Sequence, residues 1–542
     1  VSDTTASGFR LALLADPDDL DARRIYADWL LDEASTDADR ARLELLQVQL
    51  RLADWAPDLA EREELLARQD ALLQRPGELL LGPLVDRLRD WSYQRGILHV
   101  EISATQLLHR ATRAELARQL QDAGVQVLRV ESSPRSLRRV LSSPVLSAVP
   151  GLDLGRTRAR PRPDPADDDA AFRAETLHAL EPLLAATHLE SLRWLDLSVN
   201  QLGDDFLDAL VASPLLRQLA VLDLRTNRFT SAGLRRFLAA CPETLQRLEL
   251  HGNVLDAATR ADYLAFRAAR AVAYPAGQPF QRRVNSLGME FRLVPAATFR
   301  QGSPAAETHR IDDEGPRHVV RLTRPYWVGL YQVTQQAYVE LMGDNPSHYH
   351  PDNQGGWCHP VDTLTYDQAL AFCQALSDLP AEKAAGRRYR LPTEAEWEFA
   401  GRGGLPHAPF AYGHSLGSHQ ANFDGNSPAG SARRGPYVGH PVTVGSYPPN
   451  GFGLYDVHGN VWEWCSDWYD GGYYRRFDDG AVAVDPAGPS GGDRHVVRGG
   501  SWFSNGSYCR VACRGSGAGV DHLHNGGFRL VMESAQDDWG IL

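Results

Sequence analysis

A chain of 542 residues is too long for one hydrophobic core, and with 43% hydrophobic residues it is not disordered as a whole, so several globular domains are expected. A formal charge of -13 excludes a broad basic surface of the kind that displaces counterions from nucleic acid. No basic start leads into an apolar run, and no apolar stretch has spanning length, which predicts a cytoplasmic chain with no membrane partner. Lys383 is the only lysine among 56 basic residues, a bias that a GC-rich bacterial coding sequence produces.

At the amino terminus Asp16 is expected to cap a helix, with Pro17 in its first position and Asp18 and Asp19 complementing the positive helix end. Leu20, Ile25, Ala27, Leu30 and Leu31 would form its apolar face. A second helical pattern runs through Leu43, Leu46, Gln47 and Leu50, and Trp91 to Val100 reads as a turn into a strand. The run DPDDLDARRIYADWLLDEASTDADRARLELLQVQL resembles a small bacterial repeat-companion domain that accompanies leucine-rich repeats. That resemblance assigns residues 1–110 to a mainly helical domain, whose acidic and arginine residues read as a solvated helix surface.

Three copies of L-x-x-L-x-L-x-x-N-x-L follow. They are Leu192, Leu195, Leu197, Asn200, Leu202; Leu219, Leu222, Leu224, Asn227, Phe229; and Leu245, Leu248, Leu250, Asn253, Leu255, spaced by 27 and then 26 residues. Alternating leucines point a short strand inward, and the asparagine satisfies backbone groups where the chain turns away. Helices near Phe206 to Leu210 and Ala232 to Leu238 would cover the convex side. Weaker copies at Val125, Leu128, Val130 and at Val149, Leu152, Leu154 lack the asparagine. A leucine-rich-repeat solenoid is expected over 111–270, with a disordered insertion near 156–171 that is either a solvated loop or an arginine cluster for an acidic partner. A linker at 271–283 leads to the last region, 284–542.

In that region Thr393 and Glu396 form a capping box ahead of a helix with Trp397 and Ala400 on one face. Ala369, Phe372, Cys373 and Leu376 fall at helical spacing, which makes Cys373 a core residue. The blocks NSLGMEFRLVPAATFRQGS, RLTRPYWVGLYQVTQQAYVELMG, YRLPTEAEWEFAGRGG, PPNGFGLYDVHGNVWEWCSDWY, HVVRGGSWFSNGSYCRVACR and GGFRLV occur in this order. Together they resemble the formylglycine-generating-enzyme (sulfatase-modifying-factor) family, whose fold is a variant of the C-type lectin fold. The fold class expected for the chain is therefore multidomain α+β: a helical amino-terminal domain, an α/β solenoid and a lectin-type domain.

The resemblance implies two cysteines that hold copper(I) while a substrate cysteine is oxidised to formylglycine, chemistry that needs soft thiolates. The second cysteine falls on Cys509, but the first falls on Ser504, which cannot replace a thiolate. This argues against copper and against catalysis; in an enzyme, Cys509 would be the surviving catalytic residue. Cys513 falls on a variable family position and reads, with Cys509, as a half-buried thiol, while buried reduced thiols account for Cys241, Cys358, Cys373 and Cys465. The related iron chemistry needs a histidine-rich motif that the first 280 residues lack.

The family resemblance also implies a structural calcium ion. Asp456 and Glu463 would hold it through carboxylates and Gly459 and Val461 through backbone oxygens, a set that suits calcium. Turn and strand-end hydrogen bonding is the alternative role for the two carboxylates. The family's second calcium position keeps Asn422 and Phe423 but finds no aspartate in GSARRGPYVG.

The segment RGGSW, six positions, CRVACR, a short stretch and GFR resembles the variable proteins of diversity-generating retroelements, in which adenines of a template are randomised. Residues 503–526 contain no Lys, Glu, Gln, Met or Trp, and most of their types are reachable from an AAC codon by changing adenines alone. Within a variable region at 502–527, the expected ligand contacts are Phe503, Ser504, Asn505, Ser507, Tyr508, Cys513, Ser516, Val520, Asp521, His522, Leu523, His524 and Asn525, with His522 and His524 alternatively metal ligands. The chain is thus expected to be a non-catalytic recognition protein, binding one protein ligand at this segment and a second partner on the repeats. An oxidative enzyme of the same family and a structural adaptor are the alternatives.

Overall fold

The computed structural model describes residues 6–535 apart from 17, 34, 54–58, 74–79, 95, 133, 156–168, 271–280, 406–407 and 479. Pro17, most of the expected insertion and most of the expected linker lie outside the described residues. The chain divides into two units, Val1–Ala53 with Arg62–Ala273, and Asp54–Glu61 with Tyr274–Leu542.

Leucine periodicity builds the first unit. Its seven-stranded sheet runs in chain order through Asp90–Gln94, Ile97–Ser103, Val127–Glu131, Gly151–Asp153, Trp194–Asp196, Val221–Asp223 and Arg247–Glu249. The first two strands form an antiparallel hairpin and the rest are parallel, so Leu152, Leu195, Leu222 and Leu248 stack in register as a buried row. Helices Asp204–Ala212, Ser231–Ala240 and Ala257–Arg270 return the chain between or after strands. Asn227 shows why that residue recurs: its Oδ1 accepts from the Asn200 and Leu202 amides, while its Nδ2 donates to the Leu197 and Leu224 carbonyls. Asn253 repeats the pattern one turn on, accepting from the Asn227 amide and donating to Leu224 and Leu250. On the other face the register aligns Asp153, Asp196, Asp223 and Glu249. Arg129, Arg225 and Arg247 neutralise three of these at 2.7–2.9 Å.

The expected boundary at 110/111 is absent. The hairpin Asp90–Ser103 starts the same sheet that carries the repeats, and Phe9, Leu13, Tyr26, Leu30 and Leu46 of the amino-terminal helices form one apolar cluster with Ile97 and Val127 of the sheet. The cap also moves: Asp19, not Asp16, accepts from the Asp21 and Ala22 amides at the start of helix Leu20–Glu33. Ile25 and Leu31 are 50% and 64% exposed, because the aromatic contacts of Phe9 with Tyr26 and Trp29 turn a different stripe inward. Leu20, Arg23, Tyr26, Ala27 and Leu30 are the buried residues of that helix.

The second unit is built on short strands. A five-stranded sheet has the order Arg387–Arg390, Val531–Ser534, Tyr326–Gly329, Glu290–Val294, Arg282–Val284, and a four-stranded sheet the order Gly515–Gly517, His495–Arg498, Trp462–Trp468, Gly526–Gly527. A three-stranded sheet joins Ala297–Gln301, His318–Leu322 and Ala483–Val484. Helix Tyr366–Asp378 packs Phe372 and Cys373 into a core with Trp327, Trp464, Phe528 and Met532. The expected capping box holds, Thr393 with Glu396, and Thr365 with Gln368 closes a second reciprocal box that the sequence reading did not name.

Candidate functional site

The motif RGGSW to GFR folds over helix Glu394–Arg402, and its arginines explain how. Helical spacing puts Glu394 and Glu398 on one face, and both accept from Arg498, at 3.0 and 2.6 Å. Glu394 also holds Arg514 at 2.7 and 3.0 Å, and Glu398 holds Arg402 at 2.6 Å and the Gly302 amide. Arg510 reaches Glu314 through two bonds and Glu307 through a third. Arg529, from the GFR end, is clamped to Glu463 at 2.8 and 3.0 Å. All four motif arginines are buried, so each needs its carboxylate. Of these glutamates the sequence reading singled out Glu463 alone, as a metal ligand; Glu394 and Glu398 at i, i+4 in the capped helix were the available signal for the rest of the network.

Between these clamps the side chains alternate in fate. Phe503, Tyr508 and Val520 are 65%, 47% and 75% exposed, and Asn505, His522 and His524 are exposed beside them. Ser504, Ser507, Ser516, Asp521, Leu523 and Asn525 are half-buried, and most have local duties. Asp521 accepts from the Ala518 amide, Asn525 donates to Ser501 Oγ, Ser516 accepts from Arg494, and Leu523 packs against the core. Cys513 is fully buried, and it is not available to a ligand because Arg510 and Arg514 turn inward on either side of it. Trp502 contacts Phe503 and Tyr349 at 5.5 and 5.4 Å, and His524 contacts His348 at 5.5 Å, which carries the aromatic surface onto a neighbouring loop. His522 Nδ1 lies 3.0 Å from the Thr363 carbonyl.

The expected copper position does not fit a pair of thiolates. Ser504 Oγ bonds Ser501 through its amide and hydroxyl, at 3.1 Å each. Cys509 sits among Phe410, Leu416, Ala421 and Phe423, and burial, with Cys513 adding to it, pushes its thiol far above the ordinary range. Burial and then Glu314 push Cys513 up to about 12. Neutral thiols are weak copper ligands and nucleophiles. His458 anchors the same stretch: its ring donates to the Cys509 carbonyl at 2.8 Å and accepts from the Ala411 amide, and burial lowers it to about 4, keeping it neutral. Among the described residues no three His, Cys, Asp or Glu side chains gather as a metal cluster.

The four expected calcium ligands do converge. Asp456, Gly459 and Asn460 have left-handed backbones, with φ of 56°, 92° and 63°, so successive carbonyls turn to one point. A Cβ at Gly459 would lie 2.3 Å from the Asn422 carbonyl oxygen, which demands glycine. The point is held by Gln332, a residue that sequence reasoning missed. Its Nε2 donates to the carbonyls of Asp456, Gly459 and Val461 at 3.3, 3.4 and 3.0 Å and to Glu463 Oε1 at 3.0 Å. Asp456 supplies its carbonyl there, not the expected carboxylate, which instead accepts from the Gly445 amide. At the second expected position the Asn422 side chain donates to His440 and Asn460, and its Oδ1 is buried without a hydrogen-bond partner among the described residues.

A family model described as "Sulfatase-modifying factor enzyme 1-like domain" matches residues 276–534. The formylglycine-generating enzyme of Thermomonospora curvata is 31% identical over 293 residues, covering 44% of this chain and 92% of that protein. That of Streptomyces coelicolor is 33% identical over 321 residues, covering 49% of this chain and 95% of that protein. The chain belongs to the formylglycine-generating-enzyme family. The family match lies in the carboxy-terminal half, where the fold and both metal positions were expected. Among solved structures, Treponema denticola variable protein 1 is 26% identical with a TM-score of 0.36, covering 46% of this chain and 98% of that one. Among the described residues no helix is long and apolar enough to cross a membrane.

Proposed function

We propose that this member of the family recognises a protein ligand without catalysing a reaction, through the exposed side chains between Phe503 and Asn525. One observation carries the reading: every motif arginine and cysteine of the segment is buried, while Phe503, Asn505, Tyr508, Val520, His522 and His524 face outward. An aromatic and apolar surface with adaptable polar neighbours is what loop-based binders use. The retroelement reading of 502–527 agrees with it, since the outward positions are those whose exchange leaves the core intact. The repeats of the first unit would hold a second protein partner.

The second reading, an oxidative enzyme, is favoured by the identity to the two formylglycine-generating enzymes. It requires copper(I) at Ser504 and Cys509. Titration of the full chain with copper(I), followed by incubation with a cysteine peptide under oxygen, separates the two. Recognition predicts no stoichiometric copper and no aldehyde; formylglycine in the peptide would reject it. An adenine-rich near-copy of codons 502–529 beside a reverse transcriptase gene would support diversification, and its absence would withdraw that part of the proposal.

A further inference from the structure

The cage around Gln332 is an oxygen cage without room for the family's cation. Three carbonyls and one carboxylate oxygen face a single atom at 3.0–3.4 Å, the range of hydrogen bonds, whereas calcium draws its oxygens to about 2.3–2.6 Å. The identity of that atom follows from the network. The Val442 amide donates to Asn460 Oδ1 at 2.9 Å, so Asn460 Nδ2 faces Gln332 Oε1, at 3.1 Å, and the nitrogen of Gln332 faces the cage. Charge agrees with this arrangement. Glu463 is already matched by Arg529 and bonded by the Trp397 indole at 2.7 Å, and the Asp456 carboxylate is spent on Gly445. A dication would share the site with a guanidinium and only one carboxylate.

We propose that Gln332 is a built-in substitute for the cation, and that this domain holds its loop 456–463 without metal. The loop matters to the binding segment at both ends: Asn460 O accepts from the Trp502 amide, the Trp462 amide donates to Asn525 O, and Trp462 and Glu463 pair with Gly526 and Gly527. Gln332 therefore fixes the flanks of the 503–525 surface in the presence or absence of calcium. This holds whatever that surface binds.

The test compares the melting temperature of the full chain in chelator and in excess calcium, for the native protein and for Gln332→Glu. The native protein should melt at the same temperature in both. Gln332→Glu replaces two donors by a second carboxylate facing Glu463; it should melt lower than the native protein in chelator and recover with calcium. Terbium bound to Gln332→Glu should luminesce by transfer from Trp397, and the native protein with terbium should stay dark. A native protein that gains stability with calcium, or sensitises terbium, overturns the proposal, and this arm needs no variant. So does a Gln332→Glu variant as stable as the native protein in chelator, or one that calcium fails to restore.

Discussion

Removing the Glu398 carboxylate should be among the most damaging single changes in the second unit. It accepts from Arg498 at 2.6 Å, from Arg402 at 2.6 and 3.1 Å and from the Gly302 amide at 2.8 Å, and neither arginine side chain is more than 4% exposed. Glu398→Ala leaves Arg402 without its carboxylate and Arg498 with Glu394 alone, which must also serve Arg514. Loss of one partner from a buried pair costs about 3–5 kcal/mol, while an exposed pair is worth about 0–1 kcal/mol. Glu533→Ala, whose side chain is 55% exposed beside Arg390, is the matched control. Burial alone would raise the Glu398 carboxyl, but Arg402 and then Arg498 outweigh it and hold it below its usual 4.5. Depressed in the folded state, it contributes stability that is fully present above pH 4.5 and is lost as pH falls through the lower folded value. Urea denaturation followed by near-ultraviolet circular dichroism at neutral pH and in acid reads both effects. A loss below about 1 kcal/mol, within the range of an exposed pair, would refute the account of the network.

Asp467 should titrate the other way. Burial and then Glu394 raise its carboxyl to about 7, so between its unfolded value of 3.8 and 7 the folded protein binds the extra proton, and this contribution to stability falls as pH rises. Asp467→Asn should flatten that slope in urea midpoints measured across the interval. Asn227→Ala strips five backbone groups of this partner and should cost about 3 kcal/mol in a denaturation series, since each buried unsatisfied group is worth about 1–3 kcal/mol and some will find water. Replacing Phe503, Asn505, Tyr508, Val520, His522 and His524 together should leave the melting temperature almost unchanged, with each exposed substitution within about 0.5 kcal/mol. Cys513→Tyr, at a fully buried position, should lower it sharply.

What could be read from sequence follows from how local each interaction is. The leucine row and the asparagine bonds were legible because both act over one turn, and Asn200, Asn227 and Asn253 satisfy the backbone as their positions implied. The box at Thr393 is local in the same way. Ile25 and Leu31 were misplaced because the buried stripe of their helix is chosen by Phe9 on another helix, which periodicity cannot see. The boundary expected at 110/111 failed for a related reason: strand pairing between Ile97–Ser103 and Val127–Glu131 spans segments that look separate in composition. At the site the oxygens of Asp456 to Glu463 lie in one short loop that the sequence displays, but Gln332 enters the same cage from more than 120 residues away, and nothing in its own neighbourhood marks it. Cys513 was counted among the ligand contacts because it falls on a variable family position; Glu314 and Glu394, distant in sequence, draw its flanking arginines inward and take the cysteine with them.

The four buried arginines have a thermodynamic consequence for whatever meets this surface. A loop tethered at Arg498, Arg510, Arg514 and Arg529 has little backbone freedom left to surrender on association, so the entropic penalty falls mainly on side chains such as Phe503 and Tyr508, at about 0.5–1.5 kcal/mol for each one immobilised. Affinity maturation of antibodies reaches such stiffness by selection, round by round, whereas here it resides in the buried arginines of the motif. A surface held this way would meet a ligand as a lock-and-key surface, with complexes distinguished by how slowly they come apart more than by how fast they form.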